Sequence, residues 1–264
     1  MAGVTGLEEQ DSDFLSGLCK TGGIAALIAG VLFRRNLAAE IGLFVQQEAP
    51  VNVAEWFELL QRSRILGLAY LHVFDLVNYG LLMLVFLALF VVLRKAGKSS
   101  MTIAVVLGLI GIGIYFASNS SFSMVSLSDQ FSAATGETER VVLLSAGQGV
   151  LAGSRFTSPG GHPGAGGFIS LFFVAAAGMI ITAVMVRGRL FNKAAVVFGF
   201  LANGFDLAYC AAFLILPMMD GELLSVLFIP AAGAFYMVWH ILIGLRLLKL
   251  GRLRNKNDKP TGVG

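Results

Sequence analysis

"HVFDLVNYGLLMLVFLALFVVL" (His72–Leu93) has the length of a bilayer crossing, yet an acid stands near its start. A spanning helix needs roughly 20 mostly apolar residues. The same tripeptide, Phe-Asp-Leu, returns in "NGFDLAYC" (Asn203–Cys210), inside a second apolar run. These runs are continuous, not alternating, which favours helix over strand. In hydrocarbon only helices or closed barrels satisfy their own backbone. The predicted fold class is therefore all-α, an integral membrane helical bundle.

Composition agrees. Of 264 residues, 56% are hydrophobic and 13% charged, against about 25% charged in soluble domains. Mean hydropathy is +0.80. The net charge of +3 does not indicate a nucleic-acid partner, because the basic residues sit beside apolar runs as orientation signals do. The expected partner is the lipid bilayer. A homo-oligomer is one arrangement such a bundle allows, and any small-molecule ligand is unknown at this stage. Cys19 and Cys210 form no framework and are expected as free thiols. The first 20 residues carry Glu8, Glu9, Asp11 and Asp13 without a basic leader, so no cleavable signal peptide is expected.

About six spans are predicted within one membrane domain, residues 1–264. Residues 1–20 read as a cytoplasmic tail, 21–249 as the bundle and 250–264 as a basic cytoplasmic tail. The first span starts near Thr21 and reaches Phe33, continuing through Leu37 to Val45 if Arg34 and Arg35 snorkel. The others run about Arg64 to Leu93, Met101 to Met124, Gly166 to Val186, Ala194 to Leu216 and Leu223 to Leu248. "RVVLLSAGQGVLAG" (Arg140–Gly153) is too short to span comfortably and reads as an interfacial helix. "SPGGHPGAGG" (Ser158–Gly167) is a turn-rich connector. "VAEWFELLQ" (Val53–Gln61) is amphipathic and expected on the outer surface. With both termini inside, most of the 19 Lys and Arg, including every Lys, fall on the inner side, as positive-inside orientation requires.

Four stretches carry a family resemblance: "LGLIGIGIYFASNSSFSMVSLSDQFSAAT", "AGQGVLA", "AVMVRGRLFNKAAVVFGFLAN" and "HILIGLRLLKLG". Across about Gly22 to Gly251 the chain resembles a group of uncharacterised prokaryotic multi-pass membrane proteins, classed as a domain of unknown function. The resemblance implies a helical membrane fold in the prokaryotic cytoplasmic membrane. It implies no activity, so it transfers no site residues.

The polar residues inside the runs are the functional lead. His72, Asp75, Asn78 and Tyr79 share one helical face, and Asn203, Asp206 and Tyr209 share another. Asn119, Ser123, Ser126 and Gln130 form a stripe on the third span, and Tyr236 and His240 lie one turn apart on the sixth. Ionisable residues in spans usually face the bundle interior or a wet cavity. No Lys or Arg lies mid-span to neutralise Asp75 or Asp206. Each acid is protonated, hydrogen-bonded to a neighbouring helix as structural glue, or part of a cavity that takes a proton, a cation or a polar ligand. The candidate polar site, placed near midplane, comprises Asp75, Asp206, His72, Asn203, Asn78, Tyr209, Asn119 and His240. Spans one to three and four to six are readable as a 3+3 inverted repeat, which would put the site at the repeat interface.

Other chemistries are weaker. His72 and His240 fall at depths about 12 Å apart, awkward for bis-His haem and for a zinc site with the two acids. Ser145 in "LSAGQG" lacks the Gly two residues earlier that a nucleophile elbow needs. The Gly-rich connector has no P-loop Lys. No cofactor and no metal are expected. The leading function is a small transporter or proton- or cation-linked membrane protein. The alternatives are a membrane enzyme acting on a lipid or isoprenoid with Asp75 and Asp206 as acid and base, and a non-catalytic sensor or accessory subunit.

Overall fold

The computed structural model describes the backbone of residues 2–40, 50–153, 164–215 and 221–257. Side chains are described for residues 14–33, 50–153, 164–215 and 228–253. Most of the Gly-rich connector, with His162, and the stretch from 41 to Val45 lie outside the described residues. Every described element is an α-helix: α1 (Ala2–Glu40), α2 (Val53–Arg62), α3 (Arg64–Tyr70), α4 (Val73–Ser118), α5 (Ser121–Ala133), α6 (Glu137–Gly153), α7 (Ala165–Gly188), α8 (Lys193–Ile215) and α9 (Gly221–Asn257).

Five helical segments are long and apolar enough to cross a membrane: Phe14–Phe33, Val73–Ala133, Ala165–Gly188, Lys193–Ile215 and Phe228–Leu253. The second, at 61 residues, would stretch about 90 Å as one straight helix, against a hydrocarbon core of about 30 Å. It folds back instead. Gly97 leaves helical geometry at φ −179° and ψ 76°. Beyond it Tyr115 returns to stack on Tyr79, ring centroids 4.0 Å apart. Gly108 lies against the Phe86 ring, where a Cβ has no room. Both pairs are centred on Gly97 in sequence, so α4 is an antiparallel hairpin of two arms, 73–96 and 98–118.

Helices α1, α4, α7, α8 and α9 form the bundle, α1 on α9 and α4, α4 on α7, and α8 between α7 and α9. Helix α1 runs antiparallel to α9, with Gly23 against Leu248 and Gly30 against Ile241. Ser16 Oγ donates to the Gly251 carbonyl at 2.9 Å. Buried alanines at 25, 26, 88 and 177 let the backbones approach closely, and dispersion between such surfaces holds bundles together in lipid.

The Gly97 turn, the α7–α8 connection and the last turns of α9 meet at one end. There Gly188 packs on Leu93 and Ala96, and Arg246 Nε donates to the Leu190 carbonyl. That end gathers Lys20, Arg94, Lys95, Lys98, Arg187, Arg189, Lys193, Arg246 and Lys249. The opposite end carries a cap of α2, α3, α5 and α6 around Trp56, Phe57, Leu60, Leu71, Met124 and Leu151. Asn52 starts α2 by accepting the Glu55 N–H at 2.9 Å, a side-chain N-cap, while the Glu55 carboxylate reaches past the cap to accept the Val51 N–H at 2.8 Å. Ser128 Oγ donates to the Phe57 carbonyl at 3.0 Å, tying α5 to α2.

Several sequence expectations are corrected. The run from Arg64 to Leu93 is not continuous, because α3 ends at Tyr70 and α4 begins at Val73. The predicted third span, from Met101, ends at Ser118, not Met124. In "SNSS" (Ser118–Ser121) the side chains bond locally to backbone: Ser118 Oγ donates to the Ile114 carbonyl and Asn119 Oδ1 accepts the Ser121 N–H. Such local bonds compete with the helix ladder. The Asn119–Gln130 stripe is therefore split between a helix break and α5. Helix α2 buries Val53, Trp56, Phe57, Leu59 and Leu60 against its neighbours in the cap and does not lay its apolar face on lipid. Helix α1 starts at Ala2 and runs through Arg35 to Glu40, so residues 2–20 are helical. Helix α6, at 17 residues, packs on α5 and α2 within the cap.

The hairpin gives a test with an internal control. Gly108→Leu should lower stability by about 1–3 kcal/mol, the cost of overpacking. Gly113→Leu, five residues on, where a Cβ meets nothing, should stay within about 0.5 kcal/mol. Equal thermal midpoints for the two variants in detergent would contradict the fold-back.

Candidate functional site

The site begins with the break between α3 and α4. The Leu71 N–H donates to the Gly67 carbonyl at 2.9 Å and the His72 N–H to Ala69 at 3.1 Å, closing α3. His72 then adopts the left-handed conformation, φ 59° and ψ 33°, where non-Gly residues are uncommon and histidine is among the better tolerated. Helix α4 starts at the next residue, and Asp75 falls in its first turn. An acid there faces the positive end of the helix dipole, worth roughly 0.3–1 kcal/mol. This explains why an apolar run contains an aspartate: the helix begins beside it. The break at His72 means that the apolar run containing Asp75 is not one continuous helix.

Asp75 is held from two sides. His72 Nδ1 lies 3.7 Å from its Oδ2. Tyr115 OH reaches the same oxygen at 3.5 Å and the His72 carbonyl at 3.4 Å, at the long end of the hydrogen-bond range. Asn119 Nδ2 donates to Tyr115 OH at 3.5 Å. The hairpin thus returns Tyr115 to the acid near the beginning of its first arm.

Asp206 is buried in α8, and Asn203 lies one turn before it. Asn203 Nδ2 donates to the Gly199 carbonyl at 2.7 Å, and its Oδ1 accepts from Tyr236 OH at 2.9 Å. Gly178 of α7 passes so close to this amide that a Cβ has no room. On α9, His240 is fully buried. Its Nδ1 is 2.8 Å from the Tyr236 carbonyl, and a carbonyl only accepts, so Nδ1 carries a proton. The ring is clamped by Phe33 and Trp239, each with its centroid 5.2 Å away.

These elements line a partly open pocket of about 80 Å³ between the helices. Asp75, Asn78 and Tyr79 of α4 line it with Asp206 of α8, Tyr236 and His240 of α9, and Phe33 of α1. A single water needs only about 10–15 Å³, so there is space for a small solute. Among the described side chains no Lys or Arg lines it; those of Arg34 and Arg35, beside Phe33, lie outside the described residues. Around it, Asn78 Oδ1, Ser170 Oγ, Trp239 Nε1 and His240 Nε2 are closed to solvent and have no hydrogen-bond partner among the described residues. A buried polar atom left so costs roughly 1–3 kcal/mol.

The fold brings Asp75, Asp206, Asn78 and His240 of the eight sequence candidates to the cavity wall. Asn203 stands behind the wall, bonded to Tyr236. Tyr209 packs with Leu171 and Cys210 in a separate cluster. Asn119 and His72 support Asp75 through Tyr115 and directly. The aromatic walls from Phe33 and Tyr79, and the clamp from Trp239, were not read as site residues, although Tyr236, Trp239 and His240 lie at helical spacing. Both cysteines are buried, and neither is in a disulfide. No cluster of three or more His, Cys, Asp or Glu among the described residues is placed to hold a metal ion.

No family model, no curated protein and no solved structure matches this chain.

The left-handed break is directly testable. His72→Gly should hold or raise stability by up to about 1 kcal/mol, because glycine adopts positive φ freely. His72→Val should lose about 1–2 kcal/mol at the same position. A valine variant as stable as the glycine variant would contradict the break.

Proposed function

We propose that the protein is a small transporter-type membrane protein whose interior cavity takes a proton, a cation or a polar solute. The observation that carries this reading is that Asp75, from the first half of the chain, and Asp206, from the second half, line one cavity, with no Lys or Arg among the described lining side chains. Acids that only glue helices together need no cavity. Kinship with the family of unknown function rests on the quoted motifs alone and adds no chemistry.

The proposed topology has six crossings. What supports the sixth is the fold-back at Gly97, which makes α4 two crossings. The end that gathers the lysines is taken as the cytoplasmic side of a prokaryotic membrane, by the positive-inside rule. Both chain ends then face the cytoplasm and the α2–α3–α5–α6 cap faces out. Three crossings in each half necessarily run in opposite senses. Each half also contributes an acid and a tyrosine to one region, Asp75 with Tyr115 and Asp206 with Tyr236, which supports the inverted repeat.

A reporter fused after Gly264 should be active only in the cytoplasm, and activity of a periplasm-only reporter would reverse the orientation. In proteoliposomes, the wild-type chain should carry a proton or monovalent-cation flux. Asp75→Asn and Asp206→Asn should each cut it by about 10-fold or more, the kinetic equivalent of losing a charged hydrogen-bond partner, with thermal midpoints retained. Undiminished flux in both variants would overturn the site assignment.

A further inference from the structure

We infer that the basic end of the bundle carries a binding surface for the headgroup of an anionic phospholipid, built on the α7–α8 turn and completed by the Gly97 turn. The surface is separate from the pocket, and the solute the pocket takes has no bearing on it.

The α7–α8 turn reads "RGRLFNK" (Arg187–Lys193), and its uncharged residues are all fixed. Gly188 packs on Leu93 and Ala96 of the first arm of α4. The Leu190 carbonyl accepts from Arg246 of α9. Phe191 is buried in the bundle core. Asn192 Oδ1 accepts the Ala195 N–H at 2.8 Å, a side-chain cap at the start of α8. The three cations contrast with this. Arg187, Arg189 and Lys193 are exposed, and their side chains have no hydrogen bond or ion pair among the described residues. Arg189 holds the left-handed conformation that closes α7, φ 50° and ψ 19°, a position usually taken by glycine or asparagine. Here the glycine stands one residue earlier, where the packing needs it, and an arginine bears the strained backbone. A strained position kept by a bulky side chain points to a role for that side chain.

The neighbouring turn adds to the charge. Arg94, Lys95 and Lys98 flank Gly97 and are likewise exposed, with no side-chain partner among the described residues. The contacts of Gly188 with Leu93 and Ala96, and of Gly97 with Val184, hold the two turns side by side. Every described acidic side chain stands elsewhere, in the cap or at the pocket. The acids between residues 8 and 13 lie outside the described side chains and belong to α1, which packs on α9 and α4. The cations of both turns therefore face no described counter-charge.

A phosphate suits this set, because guanidinium groups bind its oxygens as a fork and ammonium groups as point charges. The surroundings favour a phosphate that carries acyl chains. Val186 and Val197 continue from the α7–α8 turn along the two helices, and Ile103 and Val106 from Lys98 along the second arm of α4, each about half exposed. Cations with exposed apolar side chains directly beside them match the junction of headgroup and hydrocarbon, and basic pockets between membrane helices are where anionic headgroups bind. A free phosphate or a nucleic acid gains nothing from the apolar strip. The uncompensated charge favours a net-negative lipid over a zwitterionic one, whose own cation offsets its phosphate. The turn is already rigid, so binding orders little besides the cationic side chains.

The test titrates the full-length protein in detergent with phosphatidylglycerol and with phosphatidylcholine, read by native mass spectrometry. Phosphatidylglycerol should bind about 10-fold or more tighter than phosphatidylcholine. Each cation beside an anionic membrane surface is worth about fivefold. The triple variant Arg187→Gln, Arg189→Gln, Lys193→Gln should therefore weaken phosphatidylglycerol by about 10-fold or more and phosphatidylcholine by less than about threefold. A control triple at the same end, Lys20→Gln, Lys249→Gln, Arg252→Gln, removes equal charge and should change phosphatidylglycerol binding by less than about threefold. Arg189→Gly should raise the lipid-free thermal midpoint, because glycine adopts positive φ freely, and still weaken phosphatidylglycerol. The lipid-free thermal midpoints identify the variants that remain folded. Equal binding of the two lipids by the wild-type protein would overturn the inference. Equal losses in the two triple variants would also overturn it, since net charge alone would then account for the binding. Displacement of phosphatidylglycerol by millimolar inorganic phosphate would assign the surface to the free ion. Tighter binding of a short single-stranded oligonucleotide would assign it to nucleic acid, and either result would contradict the lipid.

Discussion

The interior is organised by a helix that stops at Tyr70 and restarts at Val73. The left-handed backbone of His72 gives α4 a fresh N-terminus, and Asp75 occupies its first turn. Without that restart Asp75 would be an acid in the middle of a hydrophobic helix, at a cost of roughly 2.5–3.5 kcal/mol on insertion scales. With it, the carboxylate has a helix N-terminus, the His72 ring and the Tyr115 hydroxyl around it. The hairpin at Gly97 is what brings Tyr115 there.

The second half reaches the same region differently. Asp206 stands well inside α8 and has no helix start beside it. Its neighbourhood is instead a chain of neutral polar contacts: Asn203 to Gly199, Tyr236 to Asn203, and His240 to the Tyr236 carbonyl. Gly178 makes room for the Asn203 amide. The two acids therefore share a cavity but not an environment. Two acids on one wall in a low-dielectric interior interact strongly with any cation that enters. The cap of α2, α3, α5 and α6 has its own small core and joins the bundle through α3 on α4, α6 on α7 and the loop at Asn119.

Much of this was legible in the sequence, because hydropathy is a sum over many residues and survives local errors. The helical class, the apolar segments and the separation of basic from cap-end residues all follow from it. Asp75, Asp206, Asn78 and His240 were legible as candidates because a polar residue in an apolar run is conspicuous. Helix breaks were not. Leu71-His72 contains neither Gly nor Pro, so nothing in residue type marked the restart of α4. The end of the hairpin's second arm was better signalled, since "SNSS" at Ser118 competes for backbone bonds, but the apolar residues on both sides masked it. The amphipathic α2 has the same pattern whether it faces lipid or protein, and only Met124, Leu151 and their neighbours decide between the two. The role of Phe33 and Trp239 depends on which helices pack together, information that no single segment carries.

The central claim is that Asp75 and Asp206 act in one site, and a double-mutant cycle tests it most directly. Unfolding free energies of the wild-type chain, Asp75→Asn, Asp206→Asn and the double variant would be measured under one detergent condition. Two acids across a shared cavity repel, so neutralising either one changes what is gained by neutralising the other. The account predicts an interaction energy of about 0.5 kcal/mol or more. Additivity within about 0.3 kcal/mol would contradict it, and would leave two independent acids in separate parts of the bundle.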